Sequence, residues 1–485
     1  MALRNLLLVS YQFPPIGGSG VQRALKLARY LPRAGWRAHV ISAGHTHYPL
    51  LDPSLTCGDG DDIVVHRTCG LEPAGMARAI CRHLAQDGSV PWWLSAFEDR
   101  LYWRLDRVCG GLSLPEAEML WVPAAIRQAR RLVERHDIEA VITSSPPHST
   151  HLVGMNLKRR LGLPWIADLR DPILDNFSYR PSGRLADRFW RWLERSVVHQ
   201  ADRVVVTCPE LAQRLSSRYA DVKPGRFVTI TNGYDPADAA GGRLKTSDRR
   251  YSDREGTGGI PDGQRPLESP RGRFVLAYIG AFYREQTIEP VLQAIRELRA
   301  RRADIATDLE FRMIGSISAA QRRLLTTEDS AFIVDLGYRS HEEAVAEMPR
   351  ADVLLLMVPT NDGGRLCIPA KVFEYLAFGG HILGLVPDDT YLHRLLVEAG
   401  NTTPVDCRKP SGFAPAIERC YDAWRAGTLN VPRNERVVQE FRRDRLAERY
   451  AEVVEDCVDG AAERLAEDSP LRVVREEAAA EEALA

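Results

Sequence analysis

The chain has 485 residues, more than one hydrophobic core usually organises, so two large domains are expected. Its 64 basic and 65 acidic residues almost cancel, which argues against a general electrostatic attraction to nucleic acid. The nine cysteines form no C-x-x-C pair and no finger spacing with histidine, so neither a zinc module nor a disulfide framework is indicated. Since no run approaches ~20 apolar residues, we expect a soluble, cytoplasmic protein.

The first part of the chain alternates short apolar runs with helical patterns. The runs, typical of buried strands, are Leu6–Val9, Ala38–Ser42, Ile63–His66, Ala140–Thr143, Pro164–Ala167 and Arg203–Thr207. Apolar residues recur three and four apart over Val21–Ala34 and Ala124–His136, which predicts helices. Repeated strand-helix units predict an α/β fold with a parallel, doubly wound sheet.

A segment rich in Gly, Pro, Arg, Asp and Ser follows, over residues 237–272, and its composition predicts a flexible linker or insertion. The strand-helix rhythm then restarts. Its second set of apolar runs is Phe274–Gly280, Leu309–Gly315, Phe332–Gly337, Asp352–Val358 and His381–Val386. A second doubly wound domain is therefore expected, and the chain ends in an acidic, alanine-rich tail.

The turn "FPPIGGSGVQR" joins the first strand to the first helix. Glycines at this place let the backbone approach a ligand, and the helix N-terminus offers free N–H groups to an anion. The turn is not a P-loop, because no Lys-Ser or Lys-Thr follows its glycines. It is not the dinucleotide-binding fingerprint either, because Arg23 stands where that motif has its third glycine. The turn is either a ligand loop or a simple tight turn.

The stretch "IPAKVFEYLAFGG" places Lys371 and Glu374 in the first turns of a helix at the carboxyl edge of the second sheet. Lys371 can neutralise a diphosphate and Glu374 can accept hydrogen bonds from a ribose diol. On spacing alone, a surface Lys-Glu pair one turn apart is an equal alternative.

Six motifs together resemble glycosyltransferase family 4, whose members have the two-domain GT-B fold. Over about residues 6–450 they are the Gly-Gly loop, "TSSPPHSTHLVG", "WIADLRDP", "TNGYDP", "YIGAF" and "PAKVFEYLAFG". The resemblance implies two Rossmann-like domains that face each other across a cleft. The predicted parts are residues 1–236 (acceptor-side domain), 237–272 (linker), 273–430 (nucleotide-sugar domain), 431–458 (helix returning to the first domain) and 459–485 (acidic tail).

The resemblance also implies roles for individual residues. Glu374 resembles the ribose ligand, and Arg284 and Lys371 resemble the diphosphate clamp. Gly17 and Gly18 would approach the phosphates or the acceptor from the opposite domain.

The chain departs from the family pattern at two positions. Leu366 stands eight residues before Glu374, where the family has its first acidic residue, and Asp362 is the nearby candidate for that polar role. The Lys-Gly that usually follows the "YIGAF" strand is missing, so this stretch supplies only Arg284. The missing acidic residue and the missing Lys-Gly put sugar recognition in doubt, and in part also the activity.

Two further motifs lie at carboxyl ends of strands in the first domain. The resemblance places a histidine near the transferred sugar, and His151 is favoured over His148, with a core or capping histidine as the alternative. Asp168, Arg170 and Asp171 follow the next strand and are candidates for the acceptor side, although an Asp-Arg pair that fixes the loop is almost as probable.

Two features are candidates for other roles. Asp59-Gly60-Asp61 has the D-x-D spacing of metal-dependent glycosyltransferases, but it precedes a strand, so we interpret it as a solvated turn and expect no metal. Three arginines, Arg100, Arg104 and Arg107, cluster with large apolar residues: Trp92, Trp93, Phe97, Leu101, Tyr102 and Trp103. They indicate either a core helix or peripheral contact with the inner face of a membrane.

The resemblance thus implies a retaining, metal-independent glycosyltransferase that uses a nucleoside diphosphate sugar and needs no cofactor. Its expected acceptor is a glycan or lipid-linked hydroxyl in cell-surface polysaccharide or glycolipid assembly. Two alternatives stay open: a nucleotide-sugar-binding scaffold of the same fold that has lost catalysis, and a nucleotide-sugar epimerase.

Overall fold

The structure is a computed structural model that describes residues 3–44, 51–52, 54–55, 63–69, 116–181, 183–238, 272–282 and 286–467. Several sequence predictions lie outside these ranges: Arg284, the Asp59-Gly60-Asp61 turn, the aromatic and basic segment at 92–107, most of the 237–272 linker, and the tail beyond Glu467. No helix in the described ranges combines the length and the apolar character needed to span a bilayer.

Seven parallel strands form the N-terminal sheet in the order β3-β2-β1-β4-β5-β6-β7. They are β1 (Arg4–Ser10), β2 (Trp36–Ala43), β3 (Ile63–Thr68), β4 (Ile138–Ser145), β5 (Trp165–Leu169), β6 (Arg203–Val206) and β7 (Phe227–Thr229). The described helices of this half are α1 (Ser19–Tyr30), α2 (Val122–Arg135), α3 (His151–Leu161), α4 (Arg184–Gln200) and α5 (Pro209–Arg218).

The strand β1 shows why the sheet is covered on both faces. Leu6 and Leu8 are buried in one core with residues of α1, while Leu7 and Val9 are buried in another with Trp121. A continuous apolar run is therefore needed, because successive side chains of a strand point to opposite faces.

Six parallel strands form the C-terminal sheet in the order β10-β9-β8-β11-β12-β13. They are β8 (Phe274–Ile279), β9 (Leu309–Ile314), β10 (Ile333–Gly337), β11 (Val353–Met357), β12 (His381–Leu385) and β13 (Thr402–Val405). The helices are α6 (Glu289–Arg301), α7 (Ala303–Asp308), α8 (Ala319–Arg322), α9 (His341–Glu347), α10 (Lys371–Phe378), α11 (Tyr391–Ala399), α12 (Phe413–Arg425), α13 (Glu435–Gln439) and α14 (Arg443–Glu467).

Short 3-10 turns complete the described chain. They are Leu31–Ala34, Ala117–Trp121, His148–Thr150, Pro224–Arg226, Thr327–Ala331, Met348–Arg350, Asp362–Leu366 and Pro410–Gly412. Two of them, His148–Thr150 and Asp362–Leu366, carry residues of the candidate site.

The last helix, α14, packs against the N-terminal domain. Tyr450 and Val454 of α14 are buried in the same core as Leu25 of α1. The backbone of Tyr234 exchanges hydrogen bonds with Phe441 and Arg443 just before this helix, at 3.0 and 2.9 Å. The chain thus crosses between the domains near residues 234 and 441–443, and both sheets turn their carboxyl edges toward the same interdomain cleft.

Candidate functional site

Lys371 lies at the carboxyl edge of the C-terminal sheet. Tyr375, one turn further along α10, fixes this helix to the end of β8, because its hydroxyl accepts from Ile279 N at 3.1 Å and donates to Ile279 O at 3.3 Å. The Lys371 Nζ atom consequently stands 3.7 Å from the centroid of the Tyr278 ring. Gly280 has a φ of +135°, a conformation that favours glycine, and a Cβ atom there would lie 2.8 Å from the Lys371 ammonium.

The Lys371 ammonium is buried without a hydrogen-bond partner among the described residues. Burial lowers the pKa of Lys371 to about 7, although the nearby Cys367 and Glu374 act in the opposite direction. An unpaired buried cation is costly, and an anionic ligand would remove that cost.

Glu374 belongs to a chain of charges that crosses between the domains. Lys26 Nζ of α1 lies 2.6 Å from Asp235 Oδ2 and 2.8 Å from Asp238 Oδ1. His341 Nε2 of α9 lies 3.2 Å from Asp238 Oδ2 and 3.9 Å from Glu374 Oε1. Glu374 therefore faces His341 at the domain junction.

The electrostatics of this chain follow from burial and from the alternation of sign. Burial opposes protonation of His341, but the Glu374 and Asp238 carboxylates outweigh it and raise the pKa of the ring. Burial raises the pKa of Glu374, with His341 and Arg443 acting against it. The backbone N–H of His341 also donates to Asp52 Oδ2 at 2.9 Å, which adds a second contact between the domains.

The glycine loop lies at the opposite wall of the cleft. Gly18 precedes α1 with a φ of 96°, a conformation that favours glycine. Arg170 holds this loop to the turn after β4: its guanidinium donates to Gly20 O, to Ser145 O at 2.6 Å and to Pro146 O at 2.8 Å. Arg170 thus fixes the loops that follow β1 and β4, and it lies beneath them.

Asp168 is fully committed to contacts inside the N-terminal domain. It accepts from Arg23 Nη2 at 2.9 Å, from Ser144 Oγ at 2.7 Å and from Tyr450 Oη at 2.7 Å. Burial opposes ionisation, but the Arg23 guanidinium outweighs it and holds the pKa of Asp168 below its usual value. Asp168 therefore joins α1, β5 and α14, as the loop-fixing alternative anticipates.

Asp171 has no hydrogen bond or ion pair among the described residues. Burial, with a smaller contribution from Asp168, raises the pKa of Asp171. The pKa of the Cys367 thiol is raised to about 12 by burial and then by Asp171, while Lys371 acts on it in the opposite direction. Asp171 of the N-terminal domain and Lys371 of the C-terminal domain thus both act on the electrostatics of this thiol.

The two histidines after β4 occupy different environments. His151 is completely buried, and its Nδ1 lies 2.8 Å from Thr143 Oγ1, which also accepts from Trp165 Nε1 at 2.8 Å. The first turn of α3 buries this ring, but its Nε2 has no hydrogen-bond partner among the described residues, so a role for His151 near the sugar stays a prediction. His148 is partly exposed on the preceding 3-10 turn, and burial lowers its pKa to about 4.

Glu116 holds the turn that carries His148. Its carboxylate accepts from the backbone N–H of His148 at 3.3 Å and from that of Ser149 at 2.5 Å. Burial, and then Glu118, raises the pKa of Glu116 to about 7. Sequence reasoning missed this residue because it is far from any motif.

Asp362 lies at the rim of the cleft and bridges the domains. Its Oδ2 is 2.8 Å from Arg214 Nη1 of α5, and most of its side chain is exposed. Next to it, Asn361 Nδ2 donates to Phe177 O at 3.1 Å. A Cβ atom at Gly363 would lie 2.5 Å from Phe177 N, so the two domains touch here through backbone.

The structure thus brings some predicted residues together and separates others. Lys371 and Asp171 both act electrostatically on the Cys367 thiol, and Gly17 and Gly18 lie on the N-terminal wall. Glu374 lies toward the domain junction and Asp362 at the rim. Asp168, Arg170 and His151 lie beneath the cleft surface. Sequence reasoning missed Arg23, Lys26, Glu116, Asp238, His341 and Tyr450. Of these, only Arg23 gave a signal, since it replaces the third glycine of the fingerprint.

Within the described ranges, no group of three His, Cys, Asp or Glu side chains is arranged to hold a metal ion. Arg284 falls outside those ranges, so its part in the diphosphate clamp stays a prediction.

Known structures share the architecture at low sequence identity. A sucrose-phosphate synthase from Thermosynechococcus elongatus superposes with a TM-score of 0.63 at 16% identity, covering 94% of this chain and 100% of that one. A UDP-forming trehalose-phosphate synthase from Burkholderia vietnamiensis gives 0.58 at 12% identity, covering 95% and 100%. A glycosyltransferase from Rickettsia africae gives 0.56 at 11%, covering 94% and 99%.

These likenesses establish the GT-B fold that the sequence predicted. No curated protein sequence matches the chain. Residues 17–233 match the family model described as a glycosyl transferase 4-like domain, which includes the glycine loop, both histidines and Asp168 to Asp171. The chain thus matches a glycosyl transferase 4-like domain over most of its N-terminal half, and its overall fold is GT-B.

Proposed function

We propose that the protein transfers a sugar from a nucleoside diphosphate sugar to an acceptor hydroxyl, with retention of anomeric configuration and without a metal ion. The observation that carries this proposal is the buried Lys371 ammonium, which has no hydrogen-bond partner among the described residues. It stands at the carboxyl edge of the sheet, where ligands of open α/β domains bind. A diphosphate would supply the missing negative charge.

The surroundings of Lys371 suit a nucleotide diphosphate. Gly280 and Gly315 end β8 and β9, and each has a φ of +135°. Without side chains there, phosphate oxygens can approach the backbone closely. Glu374 would accept from the ribose hydroxyls, exchanging its long contact with His341 for hydrogen bonds to the donor.

The proposed reaction follows from this placement. The bond between the anomeric carbon and the β-phosphate oxygen breaks, and a bond to the acceptor oxygen forms on the same face of the sugar. The acceptor proton passes to Asp171, and Lys371 stabilises the charge on the departing diphosphate. Fixed charges in a cleft closed to water stabilise such developing charge effectively.

The acceptor we propose is a glycan or a lipid-linked hydroxyl of cell-surface polysaccharide or glycolipid assembly, used at the inner face of a membrane. The partly exposed His148, on a turn fixed by Glu116 and Arg170, would lie against the transferred sugar. Since a UDP-forming trehalose-phosphate synthase shares the fold, UDP sugars are the first donors to try.

The proposal is tested by measuring thermal stability of the full chain with UDP, GDP, ADP and TDP sugars, and sugar transfer with any donor that binds. A ligand of the folded state raises the melting temperature by mass action. We expect one nucleotide to do so, and the rise to disappear in Lys371→Ala and Glu374→Ala but to persist in Lys223→Ala, a matched exposed lysine. No rise with any donor would refute the proposal; binding without transfer would favour the scaffold, and donor alteration without acceptor the epimerase.

A further inference from the structure

The helix α4 presents a basic and apolar face to solvent. Its four exposed arginines, Arg184, Arg188, Arg191 and Arg195, recur four, three and four residues apart. This spacing places them in one stripe along a helix about 25 Å long.

An apolar stripe runs beside the arginines. Leu185 and Trp192 are 68% and 44% exposed, among the largest apolar exposures in the described chain. They stand seven residues apart, two helical turns, and therefore lie on the same side of α4. The partly buried Phe189 stands between them, with its ring centroid 5.5 Å from that of Trp192.

Most of the positive charge on this face is uncompensated. Within the described ranges, Arg184, Arg188 and Arg195 form no ion pair; Arg191 pairs with Asp187 at 2.8 Å. The end of α3 extends the face, since Arg159 Nε donates to Gln200 Oε1 at 2.6 Å and Leu161 beside it is 48% exposed.

We propose that α4 and the end of α3 dock the protein on an anionic membrane surface. Arginines attract lipid phosphates, while leucine and tryptophan side chains enter the boundary between headgroups and acyl chains. A nucleic acid would match the arginines but would leave Leu185 and Trp192 in water. The charge is local, because the whole chain carries a net charge of only −1.

The docking face on α4 lies close to the rim of the interdomain cleft. The loop over Asp175–Tyr179 leads into α4, and it contacts the C-terminal domain at Asn361. The rim of the cleft therefore lies next to the docking face, where an acceptor in the membrane would enter. The inference deepens the proposed function and rests on its membrane-side acceptor, but it does not depend on the donor, since the observations that carry it are those of the exposed face.

The test is co-sedimentation of the full chain with vesicles of phosphatidylcholine alone or mixed with phosphatidylglycerol, at low and high salt. We expect binding to the mixed vesicles only, weakened by salt. Since one arginine at an anionic surface is worth about fivefold in affinity, Arg188→Glu/Arg195→Glu should weaken binding at least about 25-fold. Trp192→Ser should weaken binding at both salt concentrations.

The control is Arg323→Glu/Arg436→Glu, which reverses two exposed arginines of the C-terminal domain and should bind like the unmodified chain. Equal melting temperatures of all variants would show that folding is retained. The proposal is overturned if the unmodified chain does not bind mixed vesicles, if it binds neutral vesicles equally well, or if both double variants lose binding alike. Donor-induced thermal shifts, measured on the same samples, report on the proposed function separately.

Discussion

The Arg23 guanidinium and the Asp168 carboxylate form a two-point ion pair inside the N-terminal domain, with Nη2 at 2.9 Å from Oδ1 and Nε at 3.1 Å from Oδ2. Both side chains are almost completely buried. The pair joins residues 145 positions apart, and the Tyr450 hydroxyl adds the last helix to it. Asp168 thus holds the fold together around the cleft.

Asp168→Ala should therefore destabilise the protein strongly. Removing one partner leaves the Arg23 charge buried and uncompensated, which typically costs about 3–5 kcal/mol. Urea unfolding measures this loss, and Glu139→Ala, which breaks the half-exposed pair with Arg4, should cost under about 1 kcal/mol. Equal losses in both variants, together with a raised KM for the acceptor in Asp168→Ala alone, would instead restore the predicted acceptor role.

Diphosphate binding should depend on pH through Lys371. Burial lowers the pKa of this ammonium to about 7, against an ordinary value of 10.5, so above pH 7 the free protein carries mostly the neutral amine. Binding must then take up a proton, and affinity should fall by up to about tenfold per pH unit above 7. Calorimetric titration with a nucleoside diphosphate, in buffers of different ionisation enthalpy, measures both affinity and proton uptake.

The control for this prediction is Lys371→Met, whose residual affinity should not follow pH in this range. A proton uptake of zero in the unmodified chain at pH 8 would show that Lys371 does not meet the diphosphate.

The sequence predicted the two sheets well because their strands are continuous apolar runs. Leu6–Val9 and His381–Val386, for instance, correspond to β1 and β12. The strands that were missed lack this signal: β7 has only three residues, and β13 is the polar edge segment Thr402–Val405. Edge strands bury less of their surface, so their sequences are less constrained.

The site was harder to predict because side-chain direction and distant partners decide it. Lys371 and Glu374 lie in the first turn of a helix, as the motif predicts, because the start of the helix determines the position of both residues. Asp168 is committed to Arg23, which no local pattern reveals. The choice between His148 and His151 depends on which side chain of one helical turn faces the core, which the sequence does not show. In the structure His151 is buried and His148 is partly exposed.

Acid should destabilise the N-terminal domain through a group of histidines. His39 Nδ1 lies 3.3 Å from His66 Nε2, and the His39 and His136 ring centroids are 4.5 Å apart. Burial, and then the neighbouring histidines, lowers the pKa of His39 to about 4. Because the unfolded chain has the ordinary value of about 6.5, stability is complete above that pH and falls as pH drops toward 4, by up to about 1.4 kcal/mol per pH unit.

The check is urea unfolding of the unmodified chain and of His39→Gln at pH 7.5 and pH 5. The variant should lose less stability between the two values. His66, His148 and His151 also have lowered pKa values, so part of the acid sensitivity should remain. An identical loss of unfolding free energy in both proteins would show that His39 does not contribute to the acid sensitivity.

The contact between Gly363 and Phe177 should control how closely the domains approach. An added Cβ atom at Gly363 would lie 2.5 Å from Phe177 N and 2.9 Å from Asp175 O, both backbone atoms that cannot rotate away. Gly363→Ala should therefore push the domains apart, raising the radius of gyration in small-angle scattering and lowering turnover, since a displacement of about 1 Å can cost about 100-fold. Gly225→Ala is the matched control, because a Cβ atom there meets nothing within 4 Å. Unchanged scattering and turnover in Gly363→Ala would mean that the cleft works without this contact.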